Sequence, residues 1–195
     1  MTTSIDGAFN VNMGGNKSSC SKTNITKLSC VYFNARSVVN KLIELDLLLK
    51  EDRPDVVGIT ETWLHNGIDD SELNFEGYTL FRTDRNNLFK QKGGGVALFI
   101  KDNLNPILCD NYSNANFPEA VFCSVNMVNS CTIIGVVYRP PDSLLQNDEG
   151  LYDLLGKVLG KAFVIMGDFN FVQFDWGKPN TLDLPHKFID GLGMK

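Results

Sequence analysis

The chain has 195 residues, with 43% hydrophobic and 21% charged side chains, a composition that fits one globular domain with a sizeable core. Its net charge of −5 and pI near 5.0 exclude a protein that coats nucleic acid by bulk electrostatics, though not an enzyme that grips a few phosphates locally. No apolar run is long enough to span a bilayer, and the first residues lack the apolar core of a secretory signal.

Residues 1–27 are rich in Gly, Ser, Thr and Asn without a periodic apolar face, and are expected to form a flexible leader to a domain over 28–195. Leu28 to Phe33 alternates as a strand does. Ser37 is a candidate cap for a helix whose apolar positions are Val38, Leu42, Leu45 and Leu49. Arg53-Pro54 ends that helix, and Asp55 to Ile59 reads as a short buried strand. A further strand is expected near Tyr78 to Arg82. Past a basic stretch, Gly93-Gly94-Gly95 opens the strand Val96 to Lys101. Glu119 to Asn126 and Cys131 to Tyr138 form two more strands with a hairpin-length separator. Asp148 to Leu159 has helical apolar spacing, and a last apolar run leads into Gly167 and Asp168. Strands with few intervening helices predict an α/β or α+β domain, with sheets packed face to face and helices outside.

Five cysteines without CxxC spacing read as reduced thiols, which with the missing signal predicts an intracellular protein, nuclear or cytoplasmic. His65 and His186 have no partner at zinc-ligand spacing. The glycine triplet lacks the Lys-Ser/Thr of a phosphate-binding loop and precedes a strand, so close backbone packing explains it better.

Polar residues at strand ends are the candidates for chemistry. Asn34 follows the first strand and Glu61 the second. Glu61 suits Mg²⁺, which commonly takes one or two carboxylates with water and substrate phosphate, and Asn34 could bond a coordinated water or neighbouring carboxylate. Tyr138 ends a strand where its phenol could reach a phosphate oxygen, and Arg139 could offer a charged fork. Asp168 and Asn170 are two residues apart and would share one face if extended geometry persists. That pair suits either water orientation beside a metal and phosphate or a plain Asx turn. Arg82, Arg85, Lys90 and Lys92, against Asp84 alone, form either a local phosphate-contacting patch or a solvated loop.

Asn34-Ala35-Arg36-Ser37, Glu61-Thr62-Trp63-Leu64, Gly93 to Ile100, Val137-Tyr138-Arg139-Pro140-Pro141 and Gly167-Asp168-Phe169-Asn170 occur in one order. Together they resemble the endonuclease/exonuclease/phosphatase superfamily, and within it the apurinic-type endonuclease domain of non-LTR retrotransposons. The resemblance implies a four-layer sandwich of two mixed sheets with helices on both outsides. It also implies a phosphodiesterase dependent on Mg²⁺, or Mn²⁺, that nicks DNA beside a reverse transcriptase domain in a parent polypeptide. By resemblance, Glu61 is the metal ligand and Asn34 its companion. Tyr138 contacts phosphate, Asp168 activates water and Asn170 assists in the transition state. No Ser-Asp-His segment of the family's kind follows Asn170, and His186 stands in Leu-Pro-His-Lys. The resemblance therefore implies a domain lacking its last strands, weakly active or inactive, or a remnant that binds metal or nucleic acid without turnover. A phosphatase or lipid phosphodiesterase is the alternative within the superfamily.

Overall fold

A computed structural model describes residues 26–85, 93–128, 130–158 and 161–171. The expected leader, Lys90, Lys92, His186 and the segment after Phe171 lie outside the described residues, apart from the leader's last two positions.

The first sheet holds β1 (Cys30–Asn34), β2 (Val56–Thr60), β3 (Tyr78–Thr83) and β4 (Val96–Lys101) in the order β1-β2-β4-β3. The second holds β5 (Ile107–Leu108), β6 (Ala120–Asn126), β7 (Cys131–Tyr138) and β8 (Ala162–Asp168) in chain order. Each sheet has one parallel pair at its edge. β1 and β2 are joined through α1 (Leu42–Glu51), and β7 and β8 through α2 (Leu145–Val158). The remaining pairs are antiparallel.

The period of two along each strand decides the layers. Val56, Val96, Leu98 and Ile100 of the first sheet meet Val121, Cys123, Val125, Ile134, Val136 and Met166 of the second in a shared core. The alternate residues Val57, Ile59, Ala97 and Phe99 pack outward on Leu45 and Leu49 of α1. Phe122, Ile133 and Val137 pack outward on Leu151, Leu154, Leu155 and Val158 of α2. The expected two mixed sheets face to face, with helices outside, are the architecture observed.

Some local expectations differ. Ser37 does not cap α1. It sits at φ 87 and gives its backbone N–H to the Glu61 carbonyl at 2.9 Å, while a 3₁₀ turn, Val39–Lys41, leads into the helix. α2 begins at Leu145, ahead of the expected Asp148. The two-residue β5 was not expected. The described cysteines are free; Cys123 is buried in β6, while Cys131 is exposed at the start of β7. Among the described residues no helix is long and apolar enough to cross a membrane.

Candidate active site

The inward-facing positions of the strands end together. Asn34 is paired with Thr60 at the ends of β1 and β2, and Tyr138 with Asp168 at the ends of β7 and β8. The same strand positions that bury Val56 and Val136 below therefore place polar side chains at the mouth of the sandwich. Across that mouth, the Asn34 amide donates to Asp168 Oδ2 at 3.3 Å. Below them the Tyr32 and Thr60 hydroxyls share a hydrogen bond of 2.9 Å.

Glu61 is the first residue past β2 and takes the left-handed conformation, φ 55. The chain around it is stapled on both sides. Ala35 N–H reaches the Thr60 carbonyl at 2.9 Å, and Trp63 N–H reaches the Gly94 carbonyl at 3.0 Å. Its carboxylate accepts three hydrogen bonds, one on Oε1 and two on Oε2, which leaves Oε1 the less committed oxygen. The Tyr138 hydroxyl donates to Oε1, while Trp63 Nε1–H at 2.6 Å and Gly94 N–H at 3.2 Å donate to Oε2. Burial alone would raise the Glu61 pKa. The bonds from Tyr138, Trp63 and Gly94, with the charge of Arg85, outweigh it and hold the carboxyl below the usual range. Burial, the bond to Glu61 and that residue's charge push the Tyr138 phenol well up against the opposing Arg85. Tyr32 is pushed up to about 12, chiefly by burial, with the charges of Asp168 and Glu61 adding to it and the Thr60 bond opposing it.

The glycine triplet shows the close backbone packing read from the sequence, and what it packs against is this carboxylate. Gly93, Gly94 and Gly95 all have φ between 71 and 94, and a Cβ at Gly94 would overlap Glu119 Oε1 and the Arg85 guanidinium. Gly95 N–H donates to Glu119 Oε1 at 2.8 Å. Glu119 in turn takes a two-pronged bond from Arg85, 3.0 and 2.8 Å, whose guanidinium lies 5.6 Å from the Tyr138 ring centre.

Three sequence readings are corrected here. Arg139 is not a free phosphate fork. It is 7% exposed and pairs with Asp148 through bonds of 2.7 and 2.9 Å, because a buried guanidinium needs a counter-charge. Arg82 and Arg85 do not form an open basic patch. Arg82 is tied to Asp70 at 2.9 Å and to the Ile68 carbonyl at 2.8 Å, and Arg85 faces inward onto Glu119. Asn170 does not share a face with Asp168. Extended structure stops at Asp168, Asn170 takes φ 44, and its amide donates to the Arg139 carbonyl at 2.9 Å.

Sequence reasoning missed Glu119, Arg85 as its partner, and Trp63. Only the third carried a local signal, an indole two residues from the candidate carboxylate.

Among the described residues no three His, Cys, Asp or Glu side chains gather as a ligand set. Two carboxylates, Glu61 and Asp168, and the Asn34 amide are hard donors, and they fit an ion such as Mg²⁺ that keeps several waters and takes substrate phosphate.

A polar mouth on a double-sheet sandwich, with both sheets supplying its residues, defines the class. The chain belongs to the Endonuclease/Exonuclease/phosphatase family, whose model matches residues 7–188. Similar solved structures include an AP endonuclease from Archaeoglobus fulgidus, at 20% identity and TM-score 0.55, covering 74% of this chain and 58% of that one. Another is an AP endonuclease from Leishmania major, at 13% identity and TM-score 0.63, covering 86% and 66%. A third is the endonuclease domain of TRAS1, a telomere-specific non-LTR retrotransposon, at 14% identity and TM-score 0.60, covering 86% and 70%. The chain thus spans 58 to 70% of the length of these three, and at such identities the likeness establishes the fold. No curated protein sequence matches.

Proposed function

We propose that the protein is a divalent-metal-dependent phosphodiesterase that nicks DNA, of the kind carried by non-LTR retrotransposons, with Glu61, Asn34, Tyr138, Asp168 and Asn170 as its working residues. The observation that supports it most is the pair of contacts across the mouth, Asn34 to Asp168 and Tyr138 to Glu61, which bring strand-end groups of both sheets together.

Mg²⁺ or Mn²⁺ would be held by Glu61 with Asp168 and Asn34 alongside, and when bound it neutralises charge on the scissile phosphate. The chain's own groups do the rest. Tyr138, whose phenol keeps its proton far above neutrality, would turn that single O–H from Glu61 Oε1 to a phosphate oxygen when substrate enters. Asp168 accepts the proton of the attacking water, and the Asn34 amide fixes which carboxylate oxygen is free to do so. Arg139 works indirectly: its Nη1 donates to the Asn170 carbonyl at 2.9 Å while its own carbonyl receives the Asn170 amide, so it fixes the conformation of Asn170 at the end of β8.

The test combines Mn²⁺ calorimetry with nicking of supercoiled plasmid. Mn²⁺ binding with nicking that disappears in Asp168→Ala is the expected result. Absence of Mn²⁺ binding, or nicking unchanged by the substitution, overturns the proposal.

A further inference from the structure

Trp63 is an anomaly beside the candidate carboxylate. Its neighbours Thr62 and Leu64 are buried at 0% and 4% exposure, while Trp63 itself is 39% exposed. It holds φ 57, a conformation that a bulky aromatic residue seldom adopts and that persists only where other contacts enforce it. Two contacts do so, the backbone N–H to the Gly94 carbonyl at 3.0 Å and the indole Nε1–H to Glu61 Oε2 at 2.6 Å. The polar edge of the indole is therefore spent inside the site, and part of its apolar surface faces solvent. A ring fixed in advance stacks with little further loss of side-chain freedom.

The surroundings suit a nucleobase. One point, where a Cβ would stand at Gly93, lies 3.5 Å from Arg85 Nη1, 3.7 Å from Glu61 Oε2 and 3.9 Å from Trp63 Nε1, so the three side chains border one place. Arg85 also lines an open cavity of about 550 Å³ with His65, Asn66, Gly67, Arg82 and Asp84, which adjoins this place through Arg85 and does not include Trp63. Asp84, Asp70 and Glu119 offset the nearby arginines, which disfavours a phosphate there and leaves a neutral ring with polar edges as the better occupant.

We propose that the Trp63 indole is a stacking platform for an unpaired nucleobase of the DNA strand held by the Glu61–Asp168 cleft. The inference rests on the nuclease reading above. It separates Trp63 into two roles, a donor that positions Glu61 and a ring that binds a base.

The test uses the full 195-residue chain in EDTA, so that no cleavage occurs. Two strands of equal length are titrated, an oligothymidylate and an abasic strand of the same backbone. The chain has two tryptophans, so Trp176→Phe leaves Trp63 as the emitter. Quenching by oligothymidylate and not by the abasic strand is expected. Trp63→Phe, which keeps a ring, should bind oligothymidylate within about twofold of wild type. Trp63→Gln, which keeps an amide donor for Glu61 but no ring, should weaken it about 5- to 100-fold, the loss of one base–aromatic stack. Equal quenching by both strands, or no quenching by either, overturns the proposal, as does a folded Trp63→Gln that binds like wild type. If Trp63→Gln does not fold, the quenching comparison decides alone. Asp168-dependent nicking with no base-dependent quenching would leave the nuclease reading intact and remove this one; base-dependent quenching without metal binding would do the reverse.

Discussion

Asn34 and Asp168, 134 residues apart and on different sheets, are joined by a hydrogen bond of 3.3 Å at the mouth of the sandwich. The amide satisfies one carboxylate oxygen without adding charge. Asn34→Asp replaces that donor with a second carboxylate, and two carboxylates at bonding distance disfavour both being ionised. In the absence of metal, that repulsion should make Asn34→Asp less stable than wild type at neutral pH, with Mn²⁺ narrowing the gap. Urea unfolding with and without Mn²⁺ reads the difference, and equal stability of the two chains in EDTA would contradict the contact.

Glu61 has a depressed pKa in the folded chain, below its ordinary 4.5. A depressed acid contributes stability that is complete above the ordinary value and is lost as pH falls through the folded one. Glu61→Gln should therefore lower the unfolding free energy at neutral pH, with the gap to wild type narrowing as pH falls below 4.5. The same substitution should weaken Mn²⁺ binding at least about tenfold. Urea unfolding across pH and calorimetry check the two effects separately.

The Arg139–Asp148 pair is buried on both sides, at 7% and 8% exposure. Removing one partner leaves a buried charge unmatched, so Arg139→Met or Asp148→Asn should each cost about 3–5 kcal/mol. The double change Arg139→Met with Asp148→Asn should cost less than the sum of the two single changes. Equilibrium denaturation measures all of them. Single costs below about 1 kcal/mol would mean that the pair behaves as a solvent-exposed one.

Gly94 and Gly77 share a left-handed backbone, φ 71 and 82, but not their surroundings. Nothing stands within 4 Å of a Cβ at Gly77, so Gly77→Ala should cost only the backbone term, roughly 1–2 kcal/mol. Gly94→Ala adds overlap with Glu119 and Arg85, and should cost roughly 2 kcal/mol more while also weakening Mn²⁺ binding through Glu61. Comparable stability losses at the two sites would show that the Arg85–Glu119 pair yields without consequence.

What was readable in the sequence is what local rules determine. Val96 to Lys101 and Cys131 to Tyr138 are short, nearly continuous apolar runs bounded by turn residues, and both strands have the expected bounds. Asn34 and Asp168 follow from the same kind of signal, being polar residues where an apolar stretch stops. The misreadings arise where partners are distant or the backbone leaves the regular regions. Arg85 meets Glu119 34 residues away, and the fate of Arg139 depends on Asp148, which in the sequence reads only as the start of a helix. Ser37 and Asn170, at φ 87 and 44, break the periodicities that assigned them a cap and a shared face.

The edge pairs β1-α1-β2 and β8-α2-β7 also have a consequence for how the protein can be divided. Each sheet, read from its parallel edge inward, continues with two antiparallel pairs, so the described chain consists of two halves of like plan meeting near residue 105. Asn34 and Glu61 come from the first half, Tyr138 and Asp168 from the second, and each contact across the mouth joins one member from either side. Neither half possesses a usable centre by itself. Cleaving the backbone between Leu104 and Ile107 would turn the site into a reporter of reassembly, silent in either fragment and restored only by their complementation.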